Sequence, residues 1–134
     1  MKSKITILFT LFMFLSCKNE VNQDSNRISE NQVHTEIQLI QFHTEHRCIT
    51  CNAIEKLSQE TIKGNNKISF VLYNVEDEKN AKIAEQFEAT GTSLYLYNSK
   101  TKTTKDLTEM AFMYAKNEGE KFKTELKKEI LVFK

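Results

Sequence analysis

Two cysteines spaced as Cys48-x-x-Cys51 stand where an apolar run, Leu39-Ile40-Gln41-Phe42, ends and a helical pattern through Ile54 and Leu57 begins. This junction constrains the chain more than any other stretch. A strand that leads through a short polar connection into a helix opening on two cysteines is the arrangement of a redox dithiol. On one helical turn the two residues are near neighbours, close enough to form a disulfide with little backbone movement. The first cysteine meets the unpaired N–H groups and the positive end of the helix dipole. Arg47 adds a permanent positive charge beside it, and His46 adds another when protonated. Such surroundings lower a cysteine pKa from ~8.5 into roughly the 3.5–7.5 range. Cys48 is therefore expected to be the attacking thiolate, Cys51 the resolving thiol and Arg47 the residue that tunes them.

Three other readings use the same cysteines. A lone C-x-x-C is half of a zinc site, but the usual second half is missing and only His34, His43 and His46 remain to complete it. A soft-metal or metalloid site built on Cys48, Cys51 and His43 suits thiolate chemistry better, since thiolates favour Cu(I) and similar ions. A purely structural disulfide would close so short a loop that it would remove little chain entropy. No resident metal or other cofactor is expected beyond the redox-active Cys48–Cys51 disulfide. There is no glycine-rich phosphate loop for a flavin or nicotinamide.

The N-terminus bears on the cysteine count. Lys2 and Lys4 precede an apolar stretch from Ile5 to Leu15, and Ser16 is a small residue before Cys17. That run is short for a membrane span and suits a signal peptide over residues 1–16. Phe14-Leu15-Ser16-Cys17 resembles a bacterial lipobox, with Phe14 where leucine is usual. Lipidation of Cys17 would anchor the chain to membrane lipid on the extracytoplasmic, periplasmic side and leave Cys48 and Cys51 as the free pair. An ordinary cleaved signal with Cys17 left free is the alternative. Residues 17–35, rich in Asn, Ser, Gln, Glu and Asp, read as the lipidated cysteine and a flexible tether.

A single domain is expected over 36–134. The chain has 134 residues, 40% of them hydrophobic, which suits one modest core. Its formal charge of +1 becomes about −1 without Lys2 and Lys4, and no basic stripe marks it for nucleic acid. The expected elements are a strand buried on both faces at Ile37–His43, a helix over Cys48–Lys63 stopped by Gly64-Asn65-Asn66, and a strand over Lys67–Val75. A helix over Asp77–Glu88, a strand over Thr92–Tyr97 and a weaker strand near Thr103–Leu107 follow. Thr108-Glu109 starts a short helix through Tyr114, and an amphipathic helix carrying Phe122, Leu126 and Ile130 closes the domain. A βαβ unit with later antiparallel strands gives an α/β fold: a thioredoxin-like, four-stranded mixed sheet flanked by helices.

The chain departs from ordinary thioredoxins in two places. Ser93, in Gly91-Thr92-Ser93-Leu94, occupies the position of their substrate-holding cis-proline, and His46-Arg47 replaces the tryptophan before their motif. These departures, with the strings FHTEHRCITCNAIE, GTSLYLY and DLTEMAFMYAKN and the closing helix from Glu120 to Ile130, resemble the small thioredoxin-like subunit of the ArsF family of nitrophenyl compound nitroreductases. Arg47, Cys48, Thr50, Cys51, Ala53 and Glu55 carry the likeness around the dithiol. The resemblance implies a subunit of a system that reduces nitroaromatic compounds, including nitrated aromatic arsenicals, with a membrane partner. In such a system the dithiol would relay electrons between a membrane or extracytoplasmic redox partner protein and another catalytic component, and Ser93 would join Cys48, Cys51 and Arg47 in the site.

Overall fold

A computed structural model describes residues 35–133. Cys17, the expected signal peptide and the expected tether up to residue 34 lie outside the described residues.

The elements follow in the order β1 (Ile37–His43), α1 (Ile49–Ile62), β2 (Ile68–Asn74), a 3-10 turn (Glu78–Asn80), α2 (Ala81–Gln86), β3 (Ser93–Asn98), β4 (Thr104–Asp106), α3 (Thr108–Tyr114) and α4 (Gly119–Val132). The four strands form one mixed sheet in the order β2-β1-β3-β4. β1 runs parallel to β2, which α1 makes possible by carrying the chain back along the sheet. It runs antiparallel to β3, and β3 to β4. The chain is thus an α/β fold with a four-stranded mixed sheet flanked by helices.

Side chains alternate along a strand, so β1 feeds two cores. Leu39 packs with Ile54 of α1, Leu94 and Leu96 of β3, Ala111 of α3 and Phe122 and Leu126 of α4. Ile40 and Phe42 point the other way, to Val71, Ala84, Phe87 and Tyr97. There the Phe42 ring meets the rings of Tyr73, Phe87 and Tyr95 at centroid distances of 5.6, 5.5 and 5.9 Å. Leu39 and Phe42 are fully buried, as a strand covered on both faces requires.

Local chemistry sets the element ends. Gly64, at φ +81°, takes the left-handed conformation that follows α1, where a side chain would be strained. The expected Asp77–Glu88 helix is divided. Asp77 caps a 3-10 turn by accepting from the Lys79 N–H at 3.0 Å, and the α-helix begins only at Ala81. Gly119 lets α4 approach α1, since a Cβ there would lie 3.3 Å from a Leu57 methyl.

The consequence for the site is directional. The C-terminal ends of β1 and β2, the start of α1, the start of β3 and the start of α3 share one end of the sheet. The backbone joins them there: Val75 donates to the His43 carbonyl at 2.9 Å, and the Glu45 N–H donates to a Glu76 carboxylate oxygen at 2.6 Å. Leu94 donates to Thr108 Oγ1 at 3.1 Å, which brings the head of α3 to the start of β3.

Candidate functional site

Cys48 is the N-cap residue of α1, in extended conformation (φ −78°, ψ 166°). Its Sγ accepts a hydrogen bond from the Cys51 N–H at 3.2 Å, filling the role that a serine or aspartate oxygen takes at other helix starts. The side chain is exposed, so the sulfur is open to another molecule while a helix N–H points at it. Its pKa is lowered. The Cys51 thiol is the largest cause and the Cys51 N–H the next, with desolvation opposing them and the Thr50 N–H adding a smaller contribution.

Cys51 lies one turn further and is buried, 4% exposed. Two contacts hold it. Its Sγ is 3.1 Å from Thr92 Oγ1, in the segment leading into β3. Its carbonyl accepts from Gln41 Nε2 at 3.0 Å. Gln41 sits in the middle of β1, fully buried, with Oε1 unpartnered among the described residues. Cys48 and Cys51 are not joined by a disulfide in this structure. The arrangement pairs an exposed sulfur with a lowered pKa and a sheltered second thiol on the same helical turn.

The other expected residues fall around this pair. Arg47 forms an ion pair with Glu55, Nη2 to Oε2 at 2.5 Å, each side chain about one-quarter exposed. Its charge is taken up by that carboxylate, and the lowering of Cys48 comes from Cys51 and nearby N–H groups. His46 is exposed. His43 is half-buried at the end of β1, with Nδ1 2.8 Å from the Thr44 carbonyl. A carbonyl only accepts, so Nδ1 is the donor in this contact. Among the described residues no three His, Cys, Asp or Glu side chains cluster as a metal site, and His43 is not gathered with Cys48 and Cys51 into one. Ser93 is buried opposite Phe42 in the β1–β3 register, and its hydroxyl donates to the Gly91 carbonyl at 3.4 Å.

Two residues at the site escaped the sequence reading. Thr92, next to Ser93, makes the contact with the Cys51 sulfur. Gln41 had a legible signal: a polar side chain inside a strand buried on both faces must find a partner, and the nearest backbone above it belongs to the cysteine turn.

No family model matches the chain, and no curated protein matches it.

Proposed function

We propose that the domain exchanges a dithiol for a disulfide through Cys48 and Cys51. The observation that carries this reading is the asymmetry of the pair: Cys48 is exposed, hydrogen-bonded by a helix N–H and lowered in pKa, whereas Cys51 is buried against Thr92. The β2-β1-β3-β4 sheet with the cysteines at the head of α1 is compatible with the thioredoxin-like fold.

The exchange balances as follows. The Cys48 thiolate attacks one sulfur of a partner's disulfide; the partner S–S bond breaks, a Cys48–partner disulfide forms, and the partner's other sulfur leaves as thiolate and takes up a proton. Cys51 then loses its proton to solvent or to the leaving sulfur and attacks the Cys48 sulfur. The second partner thiol is released, and Cys48–Cys51 becomes a disulfide. Two electrons have moved to the partner, and the reverse sequence recharges the domain. Thr92 Oγ1 is placed to donate to the Cys51 sulfur as it becomes a thiolate.

In the wider reading, the domain is lipid-anchored through Cys17 on the extracytoplasmic side of a bacterial membrane. It relays electrons between a membrane donor and the catalytic component of a nitroaromatic reductase system, as the resemblance to the ArsF family implies. Trapping tests the exchange: a Cys51→Ser protein should accumulate a mixed disulfide with its partner through Cys48, released by dithiothreitol. A Cys48→Ser protein that keeps full exchange activity would overturn it.

A further inference from the structure

The end of the sheet remote from the dithiol carries a different charge. β1 begins there at Ile37, and a seven-residue strand puts Cys48 about 20 Å away at the opposite end. Lys63 closes α1 at this remote end, Lys67 precedes β2, and Lys100 and Lys102 lie in the β3–β4 turn. All four are exposed, and none forms an ion pair among the described residues. Lysines 56, 79, 105, 121, 123 and 128 are each paired with a carboxylate.

The turn bearing Lys100 and Lys102 is fixed in place. Asn98, 2% exposed, accepts from the Lys100 and Thr101 N–H groups at 2.9 and 3.1 Å. It also donates to Glu36 Oε1 at 3.3 Å, which engages the carboxylate at this end, and Ser99 donates to the Glu36 carbonyl at 2.8 Å. The turn is thus tied to the point at which the chain enters the sheet.

α4 brings apolar surface to the same end. Gly119 packs on Leu57 and Lys123 pairs with Glu60 at 3.5 Å, so α4 advances in the same sense as α1. It carries the exposed Lys127, Leu131 (82% exposed) and Val132 (67%) toward the end that Lys63 occupies. The dithiol end is the more acidic: Glu45, Glu76, Glu78, Glu88 and Glu109 are exposed there, Arg47 and Lys79 are paired, and Lys82 at the start of α2 is its exposed lysine without an ion pair among the described residues.

From these placements we infer that the Lys63–Lys67–Lys100–Lys102 end, with Leu131 and Val132, rests on an anionic lipid surface and holds Cys48 facing away from the bilayer. Unpaired lysines beside exposed aliphatic side chains suit a headgroup region, where ammonium groups meet lipid phosphates and apolar atoms reach the acyl boundary. The acidic dithiol end is repelled by the same surface, so the charge asymmetry orients the domain. This inference uses the anchored reading of Cys17 for its geometry, yet its test is separable from that reading.

The test uses the full chain with vesicles of phosphatidylcholine alone or mixed with phosphatidylglycerol. Amide hydrogen exchange should slow at 62–68, 98–104 and 127–133 on the anionic vesicles only, with no slowing at 44–49. Replacing lysines 63, 67, 100 and 102 by glutamine should remove that protection and weaken vesicle association more than tenfold, since each lysine near such a surface contributes about fivefold. Equal exchange on both vesicle types, or protection centred on 44–49, overturns the inference even where mass spectrometry finds Cys17 diacylated. Where Cys17 is unmodified, the anchored reading fails and co-sedimentation decides. Tighter association of the wild-type chain than of the glutamine variant, abolished by high salt, supports the inference, and equal association overturns it.

Discussion

Replacing Gln41 by methionine should stabilise the reduced protein while disturbing its chemistry. The two ends of the amide act in opposite directions. Nε2 donates to the Cys51 carbonyl at 3.0 Å, a neutral hydrogen bond whose loss costs about 0.5–1.5 kcal/mol. Oε1 is buried with no partner among the described residues, and burying such an acceptor costs about 1–3 kcal/mol. Methionine has similar length and adaptable rotamers, so it fills the site without a cavity. The Cys51 carbonyl keeps its helical acceptor role within α1. The balance favours the variant by about 1 kcal/mol, equivalent to a midpoint rise of about 4–8 °C in a domain of this size. Thermal and urea unfolding of the reduced Gln41→Met protein measure it. A loss of 1 kcal/mol or more would show instead that Oε1 has a partner, such as a buried water. The price of the change falls on exchange, because the amide fastens the cysteine turn to β1, and the rate of Cys51 attack on a mixed disulfide should fall.

Other consequences follow from the same contacts. Ser58 is fully buried with an unpartnered Oγ among the described residues, so Ser58→Ala should raise stability by about 1 kcal/mol in urea titrations, helped by the better helix propensity of alanine. Phe42→Ala removes a buried ring that contacts three others and should cost about 3–5 kcal/mol, a large share of a total near 5–15 kcal/mol, measured by the unfolding midpoint. Thr92→Val should leave Cys48 alkylation unchanged and slow the resolving step about two- to tenfold, the worth of one hydrogen bond, seen as mixed disulfide accumulating under quench. Cys51→Ala should shift the pH profile of Cys48 alkylation upward, because the Cys51 thiol is the largest cause of the lowering; the surviving N–H makes the shift partial. The sign for stability follows from that depressed value: the Cys48 thiolate favours the folded state above the unfolded-chain pKa, and this contribution is lost as pH falls through the folded one.

The strands were legible because their residues alternate between two cores or run apolar on both faces: Ile37–His43 came out with the expected bounds, and Ile68–Asn74 within one residue at each end. α1 was legible through its apolar stripe and through Gly64, which stops it. The Asp77–Glu88 segment was harder, since a capping aspartate serves a 3-10 turn and an α-helix equally well. At the site, the cysteine pair at the head of α1 was written in the spacing. Which neighbours touch them was not. Alignment with a proline position drew attention to Ser93, whose hydroxyl bonds to Gly91, while the next residue back reaches the sulfur. That difference depends on where β3 begins and on one side-chain rotamer, neither of which a local pattern encodes. Arg47 likewise looked like a cation for Cys48 until α1 wound Glu55 up beside it.

In the proposed chemistry Cys48 and Cys51 form one redox couple. Equilibrating the protein in glutathione or dithiothreitol buffers of graded potential, then trapping and counting free thiols by mass spectrometry, tests it most directly. One two-electron transition is expected, in which both thiols disappear together within a monomer and return on reduction. Thiols that are lost independently, or that pair only with external thiols and never with each other, would contradict it.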